Sequence, residues 1–121
     1  MNNFISLAQA IAMTQAFRAE KENILAAPYK NQDILPVCET FDRKAFEALL
    51  QETDCAYIRI YLGMGADLKI RIIAVGADSA ERDILPVVPQ GAAESQDGDG
   101  NIVEDGMRCP TICPPASPLN S

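Results

Sequence analysis

At 121 residues with 48% hydrophobic content, the chain has room for one packed domain and too much apolar side chain for global disorder. With no Trp and only four Phe, its core must be mainly aliphatic. A formal charge of −7, from 17 acidic and 10 basic residues without any His, disfavours nucleic acid and anionic membrane as partners and removes the usual catalytic base.

The opening Met-Asn-Asn-Phe places no basic residue ahead of an apolar run, and no stretch reaches the ~18 apolar residues of a membrane span. The expected location is cytoplasmic, where four cysteines stay thiols or bind metal. Ser6 and Gln9 form a capping box that opens a first helix. Leu7, Ala10, Ile11, Met13, Thr14 and Phe17 then fall near one side at helical spacing, and Pro28 stops the run. A connector follows, whose 33–38 part is extended but carries Pro36, which confines it to an edge strand or a covering loop.

Asp42 is the expected N-cap of a second helix, with Phe41 stapled onto Phe46 and with Phe46, Leu49 and Leu50 as its buried stripe. Residues 57–62 alternate strictly, so Ile58, Ile60 and Leu62 face the core while Tyr57, Arg59 and Tyr61 face outward. A turn at 63–67 leads into a returning antiparallel strand over 68–75, which carries Lys69 and Arg71 to the outer face. Residues 83–88 suggest a third, edge strand. The pentapeptide Asp-Ile-Leu-Pro-Val occurs at 33–37 and again at 83–87. The flanking sequences differ, so we read two similar edge segments and not a duplication.

After Pro89 the periodicity stops, and residues 90–100 have linker composition. Residues 1–88 hold nine Lys/Arg against twelve Asp/Glu, whereas the last 33 hold one against five. The division is therefore a globular α+β domain over 1–89 and an acidic, Gly/Pro-rich flexible tail over 90–121. In the domain, two helices pack on one face of a small antiparallel sheet. A small hairpin over 101–108 is marginal without support.

The tail ends in Cys109-Pro-Thr-Ile-Cys113-Pro-Pro. Cys109 and Cys113 have a spacing that zinc tolerates, but Cys38 and Cys55 would have to join them through the fold. The bland alternative buries Cys38 and Cys55 and leaves the terminal pair free. A Cys109–Cys113 disulfide would close a very short loop that is easily reduced; an extended, unordered tail is the expectation for the isolated protein. No Gly-rich phosphate loop and no nucleophile–base pair occurs. The acidic 97–101 stretch fails as a calcium loop because Ile102 and Arg108 stand where Gly and Glu are needed. The chain thus reads as non-enzymatic, with no cofactor and no assigned metal.

The outer face that carries Tyr57, Arg59, Tyr61, Lys69 and Arg71 is cationic and aromatic, suited to an anionic peptide or to carboxylates of the chain itself.

The Phe41-Asp42, 58–63 and 75–78 segments, together with the closing Gly106-Met-Arg-Cys-Pro-Thr-Ile-Cys-Pro-Pro115, resemble a set of small uncharacterised bacterial proteins. The resemblance covers roughly residues 40–118. It implies that hairpin and Cys-Pro end travel together, and it brings no assigned activity or catalytic residue. The leading expectation is a non-catalytic interaction module with an unidentified protein partner, presenting the basic-aromatic face, Cys109 and Cys113. The runner-up is a metal- or redox-responsive protein acting through Cys109 and Cys113. A third reading is an acidic immunity-type neutraliser of a basic toxin.

Overall fold

The computed structural model describes residues 2–86 and 102–121. In chain order it holds α1 (Leu7–Glu20), a 3-10 turn (Ala27–Tyr29), β1 (Cys38–Thr40) and α2 (Arg43–Leu50). The strands β2 (Tyr57–Met64), β3 (Ile70–Ala77), β4 (Ile102–Val103) and β5 (Met107–Cys109) follow. The α+β class and the antiparallel pairing are as expected. There are two sheets, a three-stranded β2-β3-β4 and a two-stranded β1-β5.

Local chemistry explains both helix starts. The Ser6 hydroxyl accepts the Gln9 N–H at 3.1 Å, and the Gln9 side chain accepts the Ser6 N–H at 2.9 Å, satisfying donors that a helix start leaves free. At α2 the Asp42 carboxylate accepts the Lys44 N–H at 2.9 Å. The Phe41 and Phe46 rings meet edge to face at 5.6 Å, the staple read from their spacing. Phe41 also lies flat against Gly106, where an added Cβ would come within 2.7 Å of the ring.

The core is small: Leu49, Ala74 and Val103 are buried, with Phe41, Ala45, Phe46 and Ile58 packed around them. The β2–β3 register pairs Ile58 with Gly76, Ile60 with Ala74 and Leu62 with Ile72, so these residues do share one face. Only Ile58 joins the core, however; Ile60 and Leu62 stay 50% and 75% exposed. The reason is length. An eight-residue helix spans about 12 Å and an eight-residue strand about 27 Å, so α2 covers one end of the hairpin only.

The expectation that both helices pack on the sheet is also corrected. Helix α1 buries no residue. It is held by polar contacts: Arg18 donates to the Leu119 carbonyl at 2.5 Å, and the Lys21 ammonium to the Leu35 carbonyl at 3.2 Å.

Strand β3 is the centre of the molecule because both of its edges are occupied. One edge carries β2. Along the other, the Ile70 N–H donates to the Ile34 carbonyl, and the Ile72 N–H to the Glu39 carboxylate. Further on, Ala74 and Val75 pair with β4, and the Gly76 carbonyl accepts the Ile84 N–H. The two Asp-Ile-Leu-Pro-Val copies thus attach to opposite ends of one strand. The second copy makes an isolated Ala77–Asp83 bridge, not the expected third strand, because β4 already occupies the edge beside Ala74 and Val75.

The C-terminal segment departs most from expectation. Over 102–109 it forms no hairpin: β4 joins β3 while β5 joins β1. Val103, Arg108 and Cys109 are all buried. Residues 102–109 are therefore integral to the fold, and a free tail does not describe them. The expected linker at 90–100 and the 97–101 pattern lie outside the described residues.

Candidate functional site

Three cysteines meet where β1 and β5 run side by side. The register places Cys38 opposite Cys109, Glu39 opposite Arg108 and Thr40 opposite Met107. Glu39 and Arg108 both turn toward β3. Glu39 accepts the Ile72 N–H, while the Arg108 Nε donates to the Ile70 carbonyl at 3.0 Å. Alternation along a strand then puts Cys38 and Cys109 together on the opposite face of the ribbon.

Arg108 fastens this ribbon. The residue is 6% exposed, and its guanidinium donates to the carbonyls of Asp33, Ile34 (2.6 Å), Ile70 and Pro110 (3.5 Å). A buried cation is tolerable only when its donors are used, and the five-donor fork of arginine suits converging main-chain oxygens. One side chain thereby ties β5 to the connector before β1, to β3, and to the loop beyond.

Cys109 is bonded to Cys113, with 4.6 Å between the two Cα atoms. The two halves differ: Cys109 is 6% exposed, and Cys113 faces solvent. The Ile112 N–H donates to the Arg108 carbonyl at 2.9 Å and closes the loop non-covalently as well. Beyond it, residues 117–121 form a turn that reaches α1 through Arg18. The disulfide therefore sits between a buried strand and a surface segment in contact with a helix that buries nothing.

Cys38 and Cys55 are free and half-buried. Cys55 lies apart from the ladder, its thiol donating to the Tyr57 carbonyl at 3.4 Å and approaching Gly76. The four cysteines do not converge on one point. Among the described residues no group of three or more His, Cys, Asp or Glu side chains is placed to hold a metal ion. Cys109 and Cys113, the weak metal candidates, bond to each other instead.

The basic-aromatic face is present in register, since Tyr57, Arg59 and Tyr61 stand opposite Ala77, Val75 and Ile73. Its cations are largely engaged. Arg59 pairs with Asp83 and donates to the Glu81 carbonyl, and the Tyr61 hydroxyl donates to the other Asp83 oxygen at 2.5 Å. Arg71 pairs with Asp67 at 3.1 Å. The Tyr61 hydroxyl and then the Arg59 guanidinium hold the Asp83 carboxyl below its ordinary range; the same carboxylate raises the Tyr61 phenol. Tyr57 remains exposed, and Lys69 lines a small polar hollow with Asp67, Arg71, Asp105 and Arg108.

Sequence reasoning missed Cys38, Arg108 and Asp83 as site residues. The only available signal was the opposed charge of Glu39 and Arg108 beside two cysteines, which needs the register to be read. On the other flank, an apolar cleft of about 280 Å³ opens between Tyr29, Leu35, Met64 and Leu68. Among the described residues no helix is long and apolar enough to cross a membrane.

Compared with known proteins, the chain matches no family model, no curated protein and no solved structure.

Proposed function

We propose that this is a redox-responsive protein working through reversible cleavage of the Cys109–Cys113 bond. One observation carries the reading: the bond joins a buried cysteine on an anchored strand to an exposed cysteine on the segment that touches α1. An outside thiolate reaches the Cys113 sulfur, forms a mixed disulfide there, and expels Cys109 as a thiolate. A second outside thiol then displaces Cys113, so the reductant leaves as its own disulfide and both chain sulfurs gain a proton. Strand β5 keeps its register and its Arg108 bonds throughout. The 110–121 segment loses its covalent tie, and with it the fixed position of the Leu119 and Ser121 carbonyls against Arg18. A cytoplasmic location, part of the same proposal, makes the bond transient, since glutathione-type thiols keep such pairs reduced at rest.

The test is to equilibrate the full chain across ratios of reduced and oxidised glutathione, then compare amide exchange in the two end states. Supporting behaviour is a reversible mass change of two hydrogens, with protection lost in 110–121 and at the α1 end but kept in β1 and β5. Identical protection in both states removes the response.

A second reading, a protein-interaction module, is favoured by a different surface from the expected one. Among the described residues strand β2 is an edge of its sheet, and it exposes Ile60, Leu62 and Met64 on one face, a pattern suited to strand addition. Charge reversal at Leu62 that abolishes partner capture, with the disulfide variants unaffected, would favour this reading over the first.

A further inference from the structure

The disulfide has a third sulfur beside it. Cys38 is a free thiol whose strand position is directly opposite Cys109. Opposite residues in an antiparallel pair stand about 4.5 or 5.5 Å apart at Cα, according to whether they flank or exchange hydrogen bonds. Both values fall inside the about 4.4–6.8 Å that a disulfide spans. The two side chains also leave the ribbon on the same face, because Glu39 and Arg108, the alternate pair, are the ones turned to β3. A Cys38–Cys109 bond therefore demands no change in strand register.

We propose that Cys38 is the resolving thiol of this site, exchanging the Cys109–Cys113 disulfide for a cross-strand Cys38–Cys109 disulfide. The Cys38 thiolate attacks the Cys109 sulfur. A bond forms between Cys38 and Cys109, the Cys109–Cys113 bond breaks, and the electron pair leaves on the Cys113 sulfur. The proton lost from Cys38 to water is balanced by the one that Cys113 takes up. Among these three sulfurs one disulfide and one thiol are present before and after, so no oxidant or reductant is consumed.

Burial gives the exchange its direction of attack. Cys109 is 6% exposed, which shields it from external thiols, whereas its cross-strand neighbour needs no access route. Cys113 is solvent-facing, so the departing thiolate is hydrated as it forms and is released where a partner thiol can meet it. A tethered nucleophile also competes well with dissolved ones because its encounter entropy is already spent. Cys55, held against Gly76 and the Tyr57 carbonyl, has no such placement. The consequence deepens the redox reading and rests on it: the oxidised chain has two isomers, one presenting the Cys113 thiol and the other retaining it.

The experiment uses the oxidised full chain under native, reductant-free conditions. Iodoacetamide is added over time, and the protein is acid-quenched and cleaved by trypsin. Cleavage after Arg108 leaves Cys109 and Cys113 in one peptide and Cys38 in another, so the isomers give different masses. The expected result is a growing 38–109 cross-linked species with alkylated Cys113. In Cys38→Ser, labelling at Cys113 should slow by more than about tenfold, and Cys55→Ser should match the parent. Cys113 left unlabelled in the parent chain, or labelled equally fast in Cys38→Ser, overturns the proposal. The parent-chain result needs no variant to fold. Loss of the glutathione response with exchange intact refutes the redox function alone; a glutathione response without exchange refutes only the role of Cys38.

Discussion

Helix α1 and strand β5 are held in opposite ways. The helix has fourteen residues, rich in apolar side chains, and buries none of them. The strand has three residues, two of them buried, one a charged arginine. The helix stands on hydrogen bonds of its own, a capping box and two cationic side chains that reach distant carbonyls. The strand stands on one guanidinium that satisfies oxygens of the connector, of β3 and of the loop beyond. Apolar content therefore does not measure attachment here; the number of separate segments a residue joins does so better.

That contrast breaks first at Arg108. Arg108→Met keeps the length of the side chain but leaves several half-buried or buried carbonyls, that of Ile34 above all, without their donor. Buried acceptors left in this way cost about 1–3 kcal/mol each, so a loss of about 3 kcal/mol is expected in urea unfolding. Arg108→Lys should recover little, since a compact ammonium cannot meet all of these oxygens at once as the fork does. A loss below about 1 kcal/mol, within the range of an ordinary surface change, would put the anchor elsewhere.

The two helices offer the next comparison. Leu49→Ala in α2 empties the centre of the core and should cost about 2–5 kcal/mol. Met13→Ala in α1 removes an exposed side chain and should change stability by under about 0.5 kcal/mol. A Met13 effect as large as that of Leu49 in the same denaturant series would mean that α1 buries its face against something after all. Between the two falls Gly106→Ala, whose new methyl must displace the Phe41 ring; about 1–2 kcal/mol is expected for such overpacking. Phe41→Leu in the same chain should relieve part of it.

These features were unequally legible in the sequence. Ser6 with Gln9, Asp42 with Lys44, and Phe41 with Phe46 act over two to five residues, and their spacing alone carries the geometry. The β2–β3 hairpin was legible for the same reason, through strict alternation across a short turn. Ile60 and Leu62 were not, because alternation tells which face a residue occupies and not how far α2 extends over it. Val103 sits in a two-residue strand, too short for any period to register. Arg108, Cys38 and Asp83 depend on contacts between segments far apart in sequence, where residue type carries no address. A tail of linker composition thus concealed two strands and the anchor of the site.

The smallest effect expected is a pH dependence at Asp83, and it separates the hairpin's outer face from the ribbon. The carboxyl is held below its ordinary value, chiefly by the Tyr61 hydroxyl and then by Arg59. Its folded-state affinity for a proton is therefore weaker than that of the unfolded chain, so the contribution is complete above the ordinary carboxylate value of 3.8 and fades as pH falls through the lower folded value. Both partners are partly exposed, so solvent screens the effect and keeps it modest. Asp83→Asn should flatten the acid limb of the stability curve without altering disulfide exchange at Cys38. It should also let the Tyr61 phenol ionise at lower pH, since the carboxylate that raises it is gone. An ultraviolet titration in which Tyr61 is unmoved by Asp83→Asn would detach the face from that aspartate, and leave Arg59 and Tyr61 available to an outside anion.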